Sequence, residues 1–230
     1  MNETLFGVYP YIAITVFLLG SLVRFEYGQY TWRSGSSQLL RGRMLVIGSN
    51  CFHIGILAIL AGHFVGLLTP HAIYTGIGIT VREKQLAAMG FGGAAGVLCF
   101  FGLSLLIYRR LSDPRIRATS SVMDIAILLM LWVQLSMGLG SILVSAQHLD
   151  GSEMLVLADW AQRIVTFRPG AAAAMAHASL IYKLHILLGL TILLVFPFSR
   201  LVHIWSAPVT YVGRRYQIVR RRGGAAGERP

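Results

Sequence analysis

Five apolar runs decide what this chain can fold into. They extend over Gly7 to Val23, Val46 to Leu68, Leu86 to Tyr108, Val122 to Val144 and Ser179 to Trp205, and about 20 apolar residues are needed to cross a hydrocarbon core roughly 30 Å thick. Within lipid the backbone must satisfy its own hydrogen bonds, so each run is expected to be a helix. With 55% hydrophobic and 13% charged residues and a mean hydropathy of +0.66, the chain is far more apolar than a soluble globular domain. No basic segment precedes the first run, Glu3 stands where a positive charge would be expected, and no small-residue cleavage site follows, so the run reads as a retained span rather than a signal peptide. The expected fold is an all-α membrane protein with five transmembrane helices. No internal repeat or long linker divides residues 1–230, which are expected to form a single transmembrane domain with a basic tail from about 206–230.

In a soluble protein a net charge of +11 would suggest nucleic acid. Here the basic residues alternate by loop. Arg24, Arg33, Arg41 and Arg43 follow the first span, Arg109, Arg110, Arg115 and Arg117 the third, and Arg214, Arg215, Arg220, Arg221, Arg222 and Arg229 the fifth. The other two loops carry Arg82, Lys84, Arg163 and Arg168, diluted by Glu83, Asp150, Glu153 and Asp159. The positive-inside rule therefore places the N-terminus outside and the C-terminus in the cytoplasm, and no nucleic-acid partner is needed. Anionic lipid or a cytoplasmic partner could also use the tail. In the longest outer loop, Ser145 to Ala178, the residues Met154, Leu157, Trp160, Ile164 and Phe167 approximate one helical face. An amphipathic helix on the outer leaflet is expected there, with a lid over an outer site as the alternative.

Other polar and small residues have plain structural readings. Cys51 and Cys99 sit inside spans, where small buried side chains are expected, and no C-x-x-C-H occurs to attach a haem covalently. Gly92 and Gly96 have the spacing of close helix packing. Tyr9, Tyr11 and Trp205 read as interface aromatics. Asp124 stands in the first turn of the fourth helix, where it complements the helix dipole; Arg115 or Arg117 could pair with it.

Histidine carries the chemistry. His71, His148 and His177 fall in or near outer loops, but His53 and His63 lie in the second span and His185 and His203 in the fifth. Ionisable groups within a membrane are costly and mark interior partners or function. Because the second helix runs outward and the fifth inward, His53 and His203 lie toward the cytoplasm, and His63 and His185 toward the outside. Each pair can clamp a group between the two helices. Bis-histidine haem suits the arrangement; zinc, which wants three or four close protein ligands, suits it less. One spacing strains the pairing: at about 1.5 Å per residue, His53 to His63 covers roughly 15 Å and His185 to His203 roughly 27 Å. A tilted fifth helix, or one kinked at Pro197, is predicted to reconcile them. A haem-free transporter or anchor, using the histidines for protons or metal, is the rival of a different class.

The segments GQYTWR, SNCFHIGILAILAGHFVGLLTPH, SAQHLDGSEM, FPFSRLVHIWSAPVTY and RRYQIVR closely resemble the cytochrome b (gamma) subunit of membrane-bound respiratory nitrate reductase. The resemblance runs over nearly the whole chain, apart from the extreme N-terminus and the GGAAGERP tail. It implies five helices, two non-covalent b haems between the second and fifth, and quinol oxidation in a bacterial or archaeal cell (inner) membrane. By position it implies His53 and His203 as ligands of the haem nearer the cytoplasm and His63 and His185 as ligands of the outer haem. It also implies a quinol site of His63, Gly62 and a loop lysine matched by Lys84, with Arg82 as the alternative cation. Electrons would pass from the outer to the inner haem, then to an iron-sulfur beta subunit and a molybdenum-containing alpha subunit that reduces nitrate. This chain lacks the cysteines for a cluster and any large cofactor domain. Quinone-linked dihaem subunits of sulfite or heterodisulfide reductases are the nearer rivals.

Overall fold

A computed structural model of the chain describes residues 1–28 and 42–206. The basic tail after Ser206, with Arg214 and the arginines that follow it, lies outside the described residues, as do Arg33 and Arg41. Among the described residues there is no strand. A π-helical turn, Glu3–Val8, leads into α1 (Tyr9–Gly28), and α2 (Gly42–Leu68), α4 (Val81–Ser112), α6 (Val122–Ser145) and α9 (Leu180–Val195) supply the other long elements. Short helices connect them: α3 (His71–Gly76), α5 (Pro114–Ala118), α7 (Ser152–Val165) and α8 (Ala171–Ala174). Among the described residues five stretches are long and apolar enough to cross a membrane: Glu3–Gly28, Gly42–Leu68, Val81–Ser112, Val122–Ser145 and Leu180–Phe198.

Helix starts follow local chemistry. Thr80 and Glu83 form a reciprocal capping box at α4, Ser121 and Asp124 form another at α6, and Asp113 caps α5 ahead of Pro114. Each satisfies backbone N–H groups that a helix start leaves unpaired. Asp124 thus has a defined role at its helix start. Its ion pairs go to Arg110 at 3.8 Å and Arg200 at 3.9 Å rather than to Arg115 or Arg117.

The long helices pack in the order α2, α4, α6, α9, α1. Helices α2 and α4 meet most closely, through glycine. A Cβ on Gly55 would lie 2.7 Å from the Cys99 backbone nitrogen, and one on Gly102 would collide with the backbone of Phe52. Buried Cys99 fills this contact and points its thiol toward the Phe52 carbonyl. The glycine pair singled out in α4 contributes only half as expected, since a Cβ on Gly96 would press on Leu139 whereas one on Gly92 would meet nothing within 4 Å. Among the described residues no comparable packing joins α2 to α9 or α1, which leaves the ring of helices open along one seam.

The fifth span is broken, not merely tilted. Regular helix ends at Val195, Phe196–Phe198 forms a 3₁₀ turn containing Pro197, Ser199 is extended, and Arg200–Ser206 resumes as 3₁₀. Proline removes a backbone donor and stops the α-ladder, leaving carbonyls to be satisfied otherwise. Arg24 of α1 does so, donating to the carbonyls of Pro197 at 2.5 Å and Ser199 at 2.9 Å.

Helix α7, in the loop between α6 and α9, packs on protein rather than standing free of the bundle. Trp160 donates its indole N–H to the Phe6 carbonyl at 2.9 Å, and Gln162 donates to the Leu67 carbonyl at 3.0 Å. Trp160 and Ile164 are buried with Phe6 and Met175, so one end of the bundle is capped by its own chain. Phe167 leaves the expected face: it has a positive φ of 56°, is 80% exposed, and stacks on Tyr11. Two of the interface aromatics are tied to protein, Tyr9 to the Thr191 hydroxyl at 2.9 Å and Tyr11 to the Ile164 carbonyl at 3.3 Å.

Candidate functional site

The open seam is where the four histidines meet. His53 faces His203 with ring centroids 6.1 Å apart, and His63 faces His185 at 6.2 Å. The break after Val195 is what lets both levels register: His203 lies on the 3₁₀ segment beyond it and His185 on regular helix before it.

One nitrogen of every ring is already engaged. Nδ1 donates to the carbonyl of Ser49 in His53 (2.7 Å), of Ile59 in His63 (2.9 Å), of Arg200 in His203 (2.7 Å) and of Gln134 in His185 (3.1 Å). A carbonyl only accepts, so each Nδ1 carries a proton, and in the neutral tautomer this selects Nε2 holds the lone pair. Three acceptors lie three or four residues back in the same segment. The fourth, for His185, lies across the interface on α6, where Gly138 lets the ring come close enough that a Cβ there would stand 3.1 Å from its Cε1. Backbone-anchored Nδ1–H groups are the usual second contact of metal-binding histidines, fixing the tautomer.

At that spacing both rings of a pair would be able to hold one metal. With about 2 Å from metal to nitrogen and about 1.1 Å from nitrogen to ring centre, opposed imidazoles have centroids roughly 6 Å apart. Among the described residues no three His, Cys, Asp or Glu side chains gather as a metal group, so the donor sets are pairs. Such pairs suit a planar group that supplies its own equatorial donors.

Room for such a group is present. A cavity of about 610 Å³ has His53 and His203 in its lining and is walled by α2, α4, α6 and the final 3₁₀ segment; ligand sites commonly measure roughly 300–1,000 Å³. Phe52, Leu131 and Leu106 line its apolar part, and Arg109, Arg110 and Arg200 its polar part. At the other level Gly62 is exposed, and a Cβ there would meet nothing within 4 Å. Beside His185, the Gln134 side-chain nitrogen lies 3.3 Å from Nε2, while its buried Oε1 has no partner among the described residues.

Lys84 and Arg82 are distinguished by their surroundings. Arg82 is exposed, whereas Lys84 is half-buried with Nζ 4.0 Å above the ring of Tyr74, which is 5% exposed. The neighbouring carboxylate of Glu83 is occupied by the Thr80 backbone N–H at 2.8 Å and hydroxyl at 2.7 Å. Lys84 is therefore a cation steadied by an aromatic face at the same end of the bundle as His63 and His185. Gln134, Ser49 and Tyr74 escape a motif search, because a backbone acceptor or a ring under a cation leaves no fixed sequence pattern.

Two opposed imidazole pairs in the open seam of a five-span helical bundle define a multi-pass membrane protein with paired histidine sites. Residues 2–222 match the sequence model of a family described as nitrate reductase gamma subunit. The chain is 53% identical to the respiratory nitrate reductase 1 gamma chain and to the respiratory nitrate reductase 2 gamma chain of Escherichia coli (strain K12), in each case over 96% of this chain and 98% of the relative. It is 37% identical to the nitrate reductase gamma chain of Bacillus subtilis (strain 168) over 96% of this chain and 99% of the relative. The chain belongs to the nitrate reductase gamma subunit family.

Proposed function

We propose that this chain is the quinol-oxidising b-type membrane subunit of a respiratory nitrate reductase, holding two haems and standing in the cell membrane with its N-terminus outside and its basic tail in the cytoplasm. The observation that carries the reading is the pair of opposed imidazoles at each of two levels, 6.1 Å and 6.2 Å between centroids, every Nδ1 bonded to a carbonyl. His53 and His203 would hold the haem nearer the cytoplasm, and His63 and His185 the one nearer the outer face. When bound, two haems supply one-electron carriers near opposite faces, the chemistry that links quinol outside to an iron-sulfur subunit and a molybdenum subunit in the cytoplasm.

The chain's own residues do the rest. Lys84, steadied on Tyr74, donates a hydrogen bond to the quinol oxygen and favours the negative charge that develops as its proton leaves toward the outside. Gly62 leaves room for the quinol ring beside His63. The backbone-bonded Nδ1–H groups keep all four Nε2 atoms available as ligands. Helix α7, packed over this end, excludes water from one side of the site. Residues 1–230 act as one membrane domain whose arginine-rich end meets the soluble partners.

The test compares two electron donors to the assembled complex. Lys84→Ala should lower quinol-dependent nitrate reduction roughly 10–100-fold in kcat/KM, the loss of one charge-assisted hydrogen bond. Reduction driven by a reduced viologen delivered directly to the soluble subunits should be unchanged. Equal loss with both donors, or none with quinol, would contradict the proposed role.

A further inference from the structure

Helices α2 and α9 carry the His63/His185 pair, yet among the described residues they do not pack closely on each other, so the distance between them has to be set from elsewhere. Helix α7 is tied to both. Near its start, Glu153 accepts the Ser179 hydroxyl at 2.5 Å and the Ser179 backbone N–H at 3.5 Å. Near its end, Gln162 donates to the carbonyls of Leu67 at 3.0 Å and Thr69 at 3.4 Å. Between them, Trp160 anchors the helix on the Phe6 carbonyl. Both tied ends stand close to a ligand, since Leu67 lies one turn beyond His63 on α2 and Ser179 is the N-cap residue of the helix that carries His185. The Glu153 contact displaces a local one. An N-cap serine ordinarily turns its hydroxyl on the N–H groups of its own helix, but Ser179 makes no such bond and gives the hydroxyl to Glu153. Gln162 in turn satisfies carbonyls that the end of α2 leaves without helical partners. Glu153 and Gln162 belong to one regular helix, on which their separation is roughly 14 Å at about 1.5 Å per residue.

We infer that α7 is a rigid spacer that sets the width of the seam at the His63/His185 level, with Glu153 and Gln162 as positioning residues for the two imidazoles. This rests on the proposed haem reading and gives α7 a task beyond excluding water. Two ligands on one metal tolerate little change in that width, because metal–nitrogen distances near 2 Å vary by only about 0.2 Å. The His53/His203 level is braced separately, since His203 follows the break after Val195 on the segment that Arg24 supports. A spacer works only with both ends fixed, so its two ties are coupled: cutting either one releases the width, and cutting the second adds little. Two unrelated packing contacts this far apart would instead give additive effects.

The experiment uses the full membrane chain with its haem. Glu153→Met and Gln162→Met keep side-chain length and remove the hydrogen bond. Each should speed transfer of the His63/His185 haem to an excess of a haem scavenger by about fivefold or more, the loss of one buried hydrogen bond. Each should also shift that haem's ferric low-spin electron paramagnetic resonance signal. The His53/His203 haem should keep its rate and its signal, which reports that the chain is folded. The double variant should match the faster single variant within about twofold. Glu153→Gln still offers an oxygen to Ser179 and should behave like the native chain. The haem-free chain supplies a second reading of the width, from nitroxides on encoded ketone side chains at exposed Val65 and Leu184, which leave Cys51 and Cys99 untouched. Their distance distribution should be narrow in the native sequence and broad in either methionine variant. Additive effects in the double variant, equal loss of both haems, or an unchanged label distance would overturn the spacer. A native chain that binds no haem, with label distances that broaden as expected, would overturn the haem reading and leave the spacer standing.

Discussion

At the scale of single residues, Lys84, Arg82 and Gly62 are the positions that bear on the proposed quinol site beside His63. Arg82→Ala should leave quinol oxidation within about twofold, because an exposed side chain at that position contributes little. Tyr74 can be separated from Lys84 by a conservative pair. Burial pushes its phenol upward, so the ring stays neutral at working pH and keeps an electron-rich face toward the ammonium. Tyr74→Phe retains that face and should behave like the native chain. Tyr74→Leu should raise the quinol KM roughly 2–30-fold, the range of a cation–π contact of about 0.5–2 kcal/mol. In Gly62→Ala the added methyl meets no packing neighbour within 4 Å among the described residues, so thermal stability should be unchanged or slightly improved. If quinol lies there, the added methyl should still weaken its binding, a split between stability and KM that a structural glycine would not give. The facing of His53 to His203 and of His63 to His185 is legible from helix direction alone. The resemblance prefers Lys84 to Arg82, but the different surroundings of the two are not legible, because they depend on a tyrosine ten residues away and on a capping box that engages Glu83.

Among elements, the two informative features are the α2–α4 contact and the broken fifth span. Gly102→Ala forces a methyl against the backbone of Phe52, where no side chain can yield, and overpacking of this kind costs about 1–3 kcal/mol. A lower unfolding temperature, with both histidine levels disturbed, is expected in detergent. The spacing of Gly48, Gly55 and Gly102 carries no recognisable motif, whereas the pattern in FGGAAG does; only one glycine of that pattern is in tight contact. Arg24→Gln removes the donor to two carbonyls freed at Pro197, a loss of roughly 1–3 kcal/mol. Because His203 is carried by the segment Arg24 supports, the inner site should weaken first, seen as selective loss of one haem signal on warming. A break near Pro197 is readable from the mismatch between the two histidine spacings. Its form, helix to 3₁₀ to extended to 3₁₀, depends on Arg24 reaching across from α1, a contact 173 residues apart in sequence. For α7, the amphipathic pattern shows that one face is buried, but not whether lipid or protein buries it.

For the whole molecule, the five-span helical fold follows from the lengths of the apolar runs, while the open seam between α2 and α9 follows from nothing local. There α2 and the broken fifth span present imidazoles to each other instead of packing surfaces, and α4 and α6 stand between α2 and α9 in the ring. A bundle built this way should be more stable loaded than empty, since a group that binds only the folded chain shifts unfolding by mass action. The most direct measurement is a reduced-minus-oxidised optical spectrum of the purified membrane chain, with haem counted per polypeptide and repeated for His53→Ala, His63→Ala, His185→Ala and His203→Ala. The account predicts two b-type haems, with one lost in either variant of the His53/His203 pair and the other in either variant of the His63/His185 pair. A folded, membrane-inserted chain without haem, or haem loss that ignores those pairs, would contradict it.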